Sequence, residues 1–212
     1  PNRDSLPSEL SHDRINEACT KHLGFQIRTS QWDASRLLGS RCIVEMPTGE
    51  GKTLTTLLAA CSLAAAGRKV LIATANDYLA SRDADWMSTL YESVGLSVSS
   101  VITSTPQKDR SSIYERDIVY GTLREFAFDF LRHSLESREN QQIHASQSTF
   151  PKDVLIIDEA DSILIDEART PMIITAPVAD IDQAKVACYR WASETAKEFQ
   201  RPRDYVRTDG SG

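Results

Sequence analysis

Apolar residues along this chain switch between two spacings. The segments Lys52–Ala66, Asp77–Tyr91 and Leu123–Leu135 carry them at helical intervals, and each is followed by a turn residue or a polar stretch. Between these lie short apolar runs, Val70–Thr74, Asp117–Tyr120 and Asp153–Ile157, and the alternating segment Ser97–Ile102. Each reads as a strand, and Asp153–Ile157 reads as one covered on both faces. Arg41–Glu45 is predicted as a further strand leading into a glycine-rich loop. Upstream, Ser11-His12-Asp13 is predicted to cap a helix that runs to about Leu23 and stops at Gly24. A second helix is predicted over Trp32–Leu38, ended by Gly39. Such strand–helix alternation predicts an α/β three-layer sandwich with a mainly parallel sheet.

The flanks read differently. Residues 1–10 look like a connector, and 137–150 are polar and read as a surface loop. After Pro171, Met172–Thr175 is predicted as a strand and Gln183–Phe199 as a helix. Nothing after Thr208 can close a core, so residues 177–212 are read as the start of a second, incomplete piece after a first lobe at 1–176 that includes an N-terminal connector and helix at 1–30.

Composition narrows the class. The chain has 212 residues with 41% hydrophobic and 25% charged content, typical of a globular domain. No apolar run reaches the roughly 20 residues of a bilayer span, and the amino terminus has no apolar signal region. The net charge of −6, without a cluster of Lys and Arg, argues against a nucleic-acid partner. Cys19, Cys42, Cys61 and Cys188 lack metal-ligand spacing and are read as small buried thiols in a reducing compartment. The four histidines are scattered and carry no assigned chemistry.

Two segments carry chemistry. In Met46-Pro47-Thr48-Gly49-Glu50-Gly51-Lys52-Thr53, the glycines let backbone N–H groups approach phosphate oxygens. Lys52 opens the next helix and reaches the terminal phosphates, and Thr53 offers a hydroxyl to Mg2+. The Walker pattern wants glycine where Met46 stands, so the match is to the helicase-like variant of the phosphate loop. In Val154–Asp161 an apolar strand delivers Asp158 to the carboxyl edge of the sheet, where it can hold Mg2+. Glu159 then orients or deprotonates the attacking water. Asp161 has the simpler reading of a helix cap. Gln31, on its spacing alone, reads as a solvated residue at a helix start. Arg169 is weighed as an internal arginine finger against pairing with Asp166 or a hinge role, and the latter two are preferred.

Several of these residues resemble the SecA family of protein-translocating ATPases. The phosphate loop 46–53, Thr74–Met87, Asp117–Thr122 with its continuation through Glu125-Phe126 and Asp129–Arg132, and above all Asp158–Pro171 carry the likeness. RNA helicases sharing the Asp-Glu-Ala-Asp tetrapeptide do not continue as Ser162–Pro171 does. The resemblance covers about residues 11–180. It implies a RecA-like first nucleotide-binding lobe followed by the start of an inserted domain that clamps polypeptide. It further implies adenine reading by Gln31, an ATP and Mg2+ site at Gln31, Thr48, Gly49, Glu50, Gly51, Lys52 and Thr53, metal ligation by Thr53 and Asp158, and catalysis by Glu159, Asp158 and Lys52. The implied partners are unfolded preprotein and a membrane channel, with contact to an acidic lipid surface allowed, at the cytoplasmic face of the cell membrane. Turnover also needs arginines from a second lobe that does not fit in 212 residues, so the chain alone is expected to bind ATP or ADP weakly with little hydrolysis. The alternative is a DEAD-type RNA or DNA helicase lobe. Departures mark a divergent branch. Pro47 replaces a usual basic residue, Leu123-Arg124 replaces Asn-Asn, Gln26-Ile27-Arg28-Thr29 replaces an Arg-x-Phe-Asp stretch, and Ala160 stands where valine is common.

Overall fold

A computed structural model describes residues 12–24, 26–139, 150, 153–172 and 183–199. The chain forms two compact units, 1–172 and 173–212. In the first unit the elements run α1 (His12–Leu23), α2 (Thr29–Leu38), α3 (Lys52–Ala65), β1 (Val70–Thr74), α4 (Asp77–Ser93), β2 (Val98–Val101), α5 (Gln107–Tyr114), β3 (Ile118–Thr122), α6 (Leu123–Glu139) and β4 (Val154–Ile157). A π-helical turn at Ser162–Asp166 and a 3-10 turn at Glu167–Arg169 follow. The described part of the second unit contains one helix, α7 (Gln183–Lys197), with Tyr189 and Trp191 exposed.

The sheet is fully parallel in the order β2-β3-β1-β4. Period-two alternation splits β1 between two cores. Val70 and Ile72 face Leu57, Leu58, Met87, Leu90 and Tyr91 from α3 and α4, joined by Ile15 and Cys19 of α1. Leu71 and Ala73 face Val101, Tyr114, Val119 and Phe126 on the other side. Helices therefore cover both faces of the central strands, which is why β1 and β3 read as unbroken apolar runs. The Tyr91 and Tyr120 hydroxyls bond to each other at 2.9 Å inside the first core, satisfying two polar groups that burial would otherwise penalise.

Beneath the second face lies an ionic cluster. Arg110 of α5 donates to Glu125 Oε2 and Asp129 Oδ2 of α6, each at 2.7 Å, and to the Ile102 and Thr105 carbonyls. Tyr114 and Arg132 also bond Asp129, at 2.7 and 2.8 Å. Burial and the bond to the Asp129 carboxylate push the Tyr114 phenol well above its ordinary value.

Several expectations need correction. Residues 41–45 form no strand: Arg41 has φ 54, outside extended space, and Ile43 is 93% exposed. Strand propensity without a ladder partner does not make a strand. Among the described residues β4 therefore has no strand partner on its outer side, and Leu155 is 45% exposed rather than covered. Helix α2 starts three residues before Trp32, because the Gln31 Oε1 accepts from the Arg28 N–H while the Gln31 and Trp32 N–H groups already donate to the Arg28 carbonyl. Helix α5 was not expected. Asp161 makes no side-chain cap, since its backbone is already helical. Among the described residues no ion pair joins Arg169 to Asp166. Only Cys19 and Cys61 are buried, while Cys42 and Cys188 are exposed. The connector at 1–10, Ser11, most of the 137–150 loop and residues 173–175 of the expected strand lie outside the described residues.

Candidate functional site

The phosphate loop opens α3, and the acidic segment leaves β4 at the carboxyl edge of the sheet, within reach of the Lys52 charge. Gly49 and Gly51 have φ of +86 and +84, left-handed values that a side chain at either position would strain. Gly51 is the N-cap of α3, and no side chain caps that end. The first N–H groups of α3 thus point outward without a side-chain acceptor, as in an anion site. Lys52 is exposed at the first helical position. Thr53 is half-buried, and among the described residues its hydroxyl has no protein partner, whereas Thr55 bonds the Gly51 carbonyl. Thr48 lies exposed in the turn before Gly49.

Asp158 follows β4 directly. Its N–H donates to the Ala73 carbonyl at 2.9 Å, fixing the acidic segment to the end of β1. Its Oδ1 accepts from the Glu159 N–H at 3.0 Å. Burial raises the Asp158 carboxyl above the ordinary carboxylate value; the Glu159 N–H opposes this, the Asp83 carboxylate adds to it, and Lys52 lowers it. Glu159 is exposed with φ 55, a left-handed conformation that costs a non-glycine residue about 1 kcal/mol. That turn swings the Glu159 side chain off the strand line before the chain re-enters helix through the Ile163 N–H to Glu159 carbonyl bond.

Gln31 is not a solvated residue. It is 4% exposed, its Oε1 accepts from the Arg28 N–H at 3.0 Å, and its Nε2 donates to the Glu50 carbonyl at 2.9 Å. A side-chain amide has two donors and two lone pairs, so one of each remains for a ligand. A Cβ on Gly51 would lie 2.5 Å from Gln31 Nε2 and would push that amide aside, in addition to the strain at φ +84.

Two residues near the site escaped the sequence reading. Arg28 pairs with Glu50 at 2.6 Å, and buried Asp83 of α4 acts on Asp158 and is paired with Arg82 at 2.6 Å. The signal for Asp83 was present: it falls on the apolar stripe of Ala80, Ala84, Met87 and Leu90, where a carboxylate needs a reason.

The donor set fits a magnesium ion carried on nucleotide phosphates. Among the described residues no cluster of three His, Cys, Asp or Glu could hold a metal alone. One carboxylate, Asp158, and one uncommitted hydroxyl, Thr53, are what an ion largely ligated by phosphate and water requires.

The raised Asp158 carboxyl has a stability consequence. The folded state holds its proton to higher pH than the unfolded chain does. That contribution favours folding at low pH and is lost as pH rises from about 4 through the folded value. At pH 7 the buried carboxylate therefore destabilises. Asp158→Asn is expected to raise Tm modestly at pH 7, while weakening Mg2+-dependent binding. Thermal melts at pH 4 and pH 7 check this: the gain should shrink at pH 4, and an equal gain at both would contradict it.

Comparison with known proteins agrees with the motifs. The SecA DEAD-like domain model matches residues 4–207. The protein translocase subunit SecA of Alcanivorax borkumensis is 43% identical over 166 residues, covering 78% of this chain and 18% of that protein. That of Oleidesulfovibrio alaskensis is 39% identical over 192 residues, covering 91% and 21%. This chain thus spans about a fifth of the length of these curated relatives. Among solved structures, the DUF1998 helicase MrfA superposes with a TM-score of 0.52 at 18% identity, covering 73% of this chain and 24% of that one. That likeness concerns the fold alone, a RecA-like lobe. By its matched length and its motifs, the chain belongs to the SecA DEAD-like domain family.

Proposed function

We propose that this chain is the first nucleotide-binding lobe of an ATP-driven motor that moves unfolded preproteins through a membrane channel. The observation that carries this is a left-handed glycine loop opening α3, with its Lys52 charge acting on Asp158 at the end of β4, in a chain whose relatives are translocase subunits. In this reading Gln31 reads adenine with its remaining donor and lone pair. Thr48 through Thr53 hold the phosphates, with Lys52 as the point charge. Thr53 and Asp158 hold Mg2+, which when bound neutralises phosphate charge. Glu159 orients and deprotonates the attacking water.

Residues 177–212 are assigned to the start of a polypeptide-clamping insertion. The whole protein is placed at the cytoplasmic face of the cell membrane, in contact with its channel and acidic lipid. No described helix is long and apolar enough to cross a membrane.

In full-length protein, unfolded polypeptide is expected to stimulate ATP hydrolysis and RNA is not. Stimulation by RNA alone would overturn the proposal in favour of a helicase. The 212-residue chain is expected to bind Mg-ATP measurably in a calorimetric titration and to turn it over at least about 100-fold more slowly than the full-length protein, because no second lobe supplies arginines.

A further inference from the structure

We infer that Arg28 is a positioning residue that fastens the base side of the site to the phosphate loop and neutralises Glu50 within it. This rests on the proposal that Gln31 and Gly49–Thr53 hold ATP.

Arg28 is the N-cap of α2, with φ −79 and ψ 152. Its backbone N–H fixes Gln31 through the bond to Oε1. Its guanidinium Nη1 donates to Glu50 Oε2 at 2.6 Å. Gln31 in turn holds the Glu50 carbonyl. One helix start therefore grips Glu50 at both its carboxylate and its backbone. Glu50 lies between Gly49 and Gly51, the two left-handed glycines of the loop. A peptide flanked by two glycines rotates easily unless something outside restrains it.

The charge is the second part. Glu50 places a carboxylate in a loop shaped for anions. Unpaired, it would repel phosphates held by the loop. Paired with Arg28 it does not. The side chains of the pair are 57% and 45% exposed, so the pair adds little to folding. Removing Arg28 should therefore appear in nucleotide affinity and leave the melt almost unmoved.

The test is calorimetric titration of the 212-residue chain with Mg-ATP and with adenosine, alongside thermal melts. Arg28→Ala is expected to weaken Mg-ATP binding about fivefold to tenfold and adenosine binding about twofold or less, with Tm changed by about 1 °C or less. Arg28→Lys restores affinity to within about threefold, since one positive charge suffices. In a Glu50→Gln background, Arg28→Ala costs about twofold or less, because the repulsive charge is gone. An undiminished loss in that background, or wild-type affinity in Arg28→Ala, would overturn the inference. If Lys52→Ala weakens Mg-ATP binding by about 30-fold or more and Arg28→Ala leaves it intact, this inference alone fails. If wild-type chain binds no Mg-ATP, or Lys52→Ala is silent, the ATP-site reading fails and carries this one with it.

Discussion

Lys52→Ala is expected to weaken Mg-ATP binding by about 30- to 100-fold, roughly 2–3 kcal/mol, the scale of charge-assisted hydrogen bonds to a phosphate. Lys52 is exposed at the first position of a helix whose N–H groups have no side-chain cap. Its ammonium is thus free to turn toward a ligand. The same charge lowers the Asp158 carboxyl, opposing the effect of burial. Its loss raises the Asp158 carboxyl further. Because Lys52 buries nothing, Tm should hold to about 1 °C. Titration of the wild type and Lys52→Ala with Mg-ATP and with metal-free ATP separates the phosphate contact from effects through the ion. Retained wild-type affinity would remove Lys52 from the site.

The largest stability effect is expected at Arg110. Its side chain is 7% exposed and faces Glu125 and Asp129, which are 11% and 5% exposed. Arg110→Met fills the space and leaves two buried carboxylates without their cation. Breaking such a pair from one side costs about 3–5 kcal/mol, or about 6–20 °C for a domain of this size. The triple variant Arg110→Met, Glu125→Gln, Asp129→Asn is expected to recover about half of that, because it removes the stranded charges along with the cation. Circular-dichroism melts of both proteins decide the matter. A single variant within about 1 kcal/mol of wild type would show that solvent or the neighbouring Arg132, 2.8 Å from Asp129, takes over the role.

These two predictions also mark where sequence reading succeeds and where it stops. The α3 helix and the β1 and β3 strands were legible because their residues face apolar neighbours, so spacing alone encodes them. Helix α5 was not legible. Its two buried residues, Arg110 and Tyr114, are held by carboxylates from α6, and a polar octapeptide says nothing about distant partners. The 41–45 segment failed in the opposite direction: its composition suits a strand, but a strand is a property of a pair. At the site, the loop and acidic residues were legible because each lies inside a short contiguous motif. Gln31 was misread on spacing alone, because the bond that ties it to the loop runs to Glu50, nineteen residues away. Arg28 and Asp83 act through tertiary neighbours in the same way, and no local spacing records them.

The cysteines give the chain a two-speed chemical clock. The thiolate is the species that reacts with an alkylating reagent. Burial pushes Cys19 up to about 11 and Cys61 higher still, and both are at 0% exposure in the core between α1, α3 and α4. Cys42 and Cys188 are open to reagent from the start. The first two equivalents of label count molecules. The next two report how often that core opens, residue by residue, without any probe having been added to the protein.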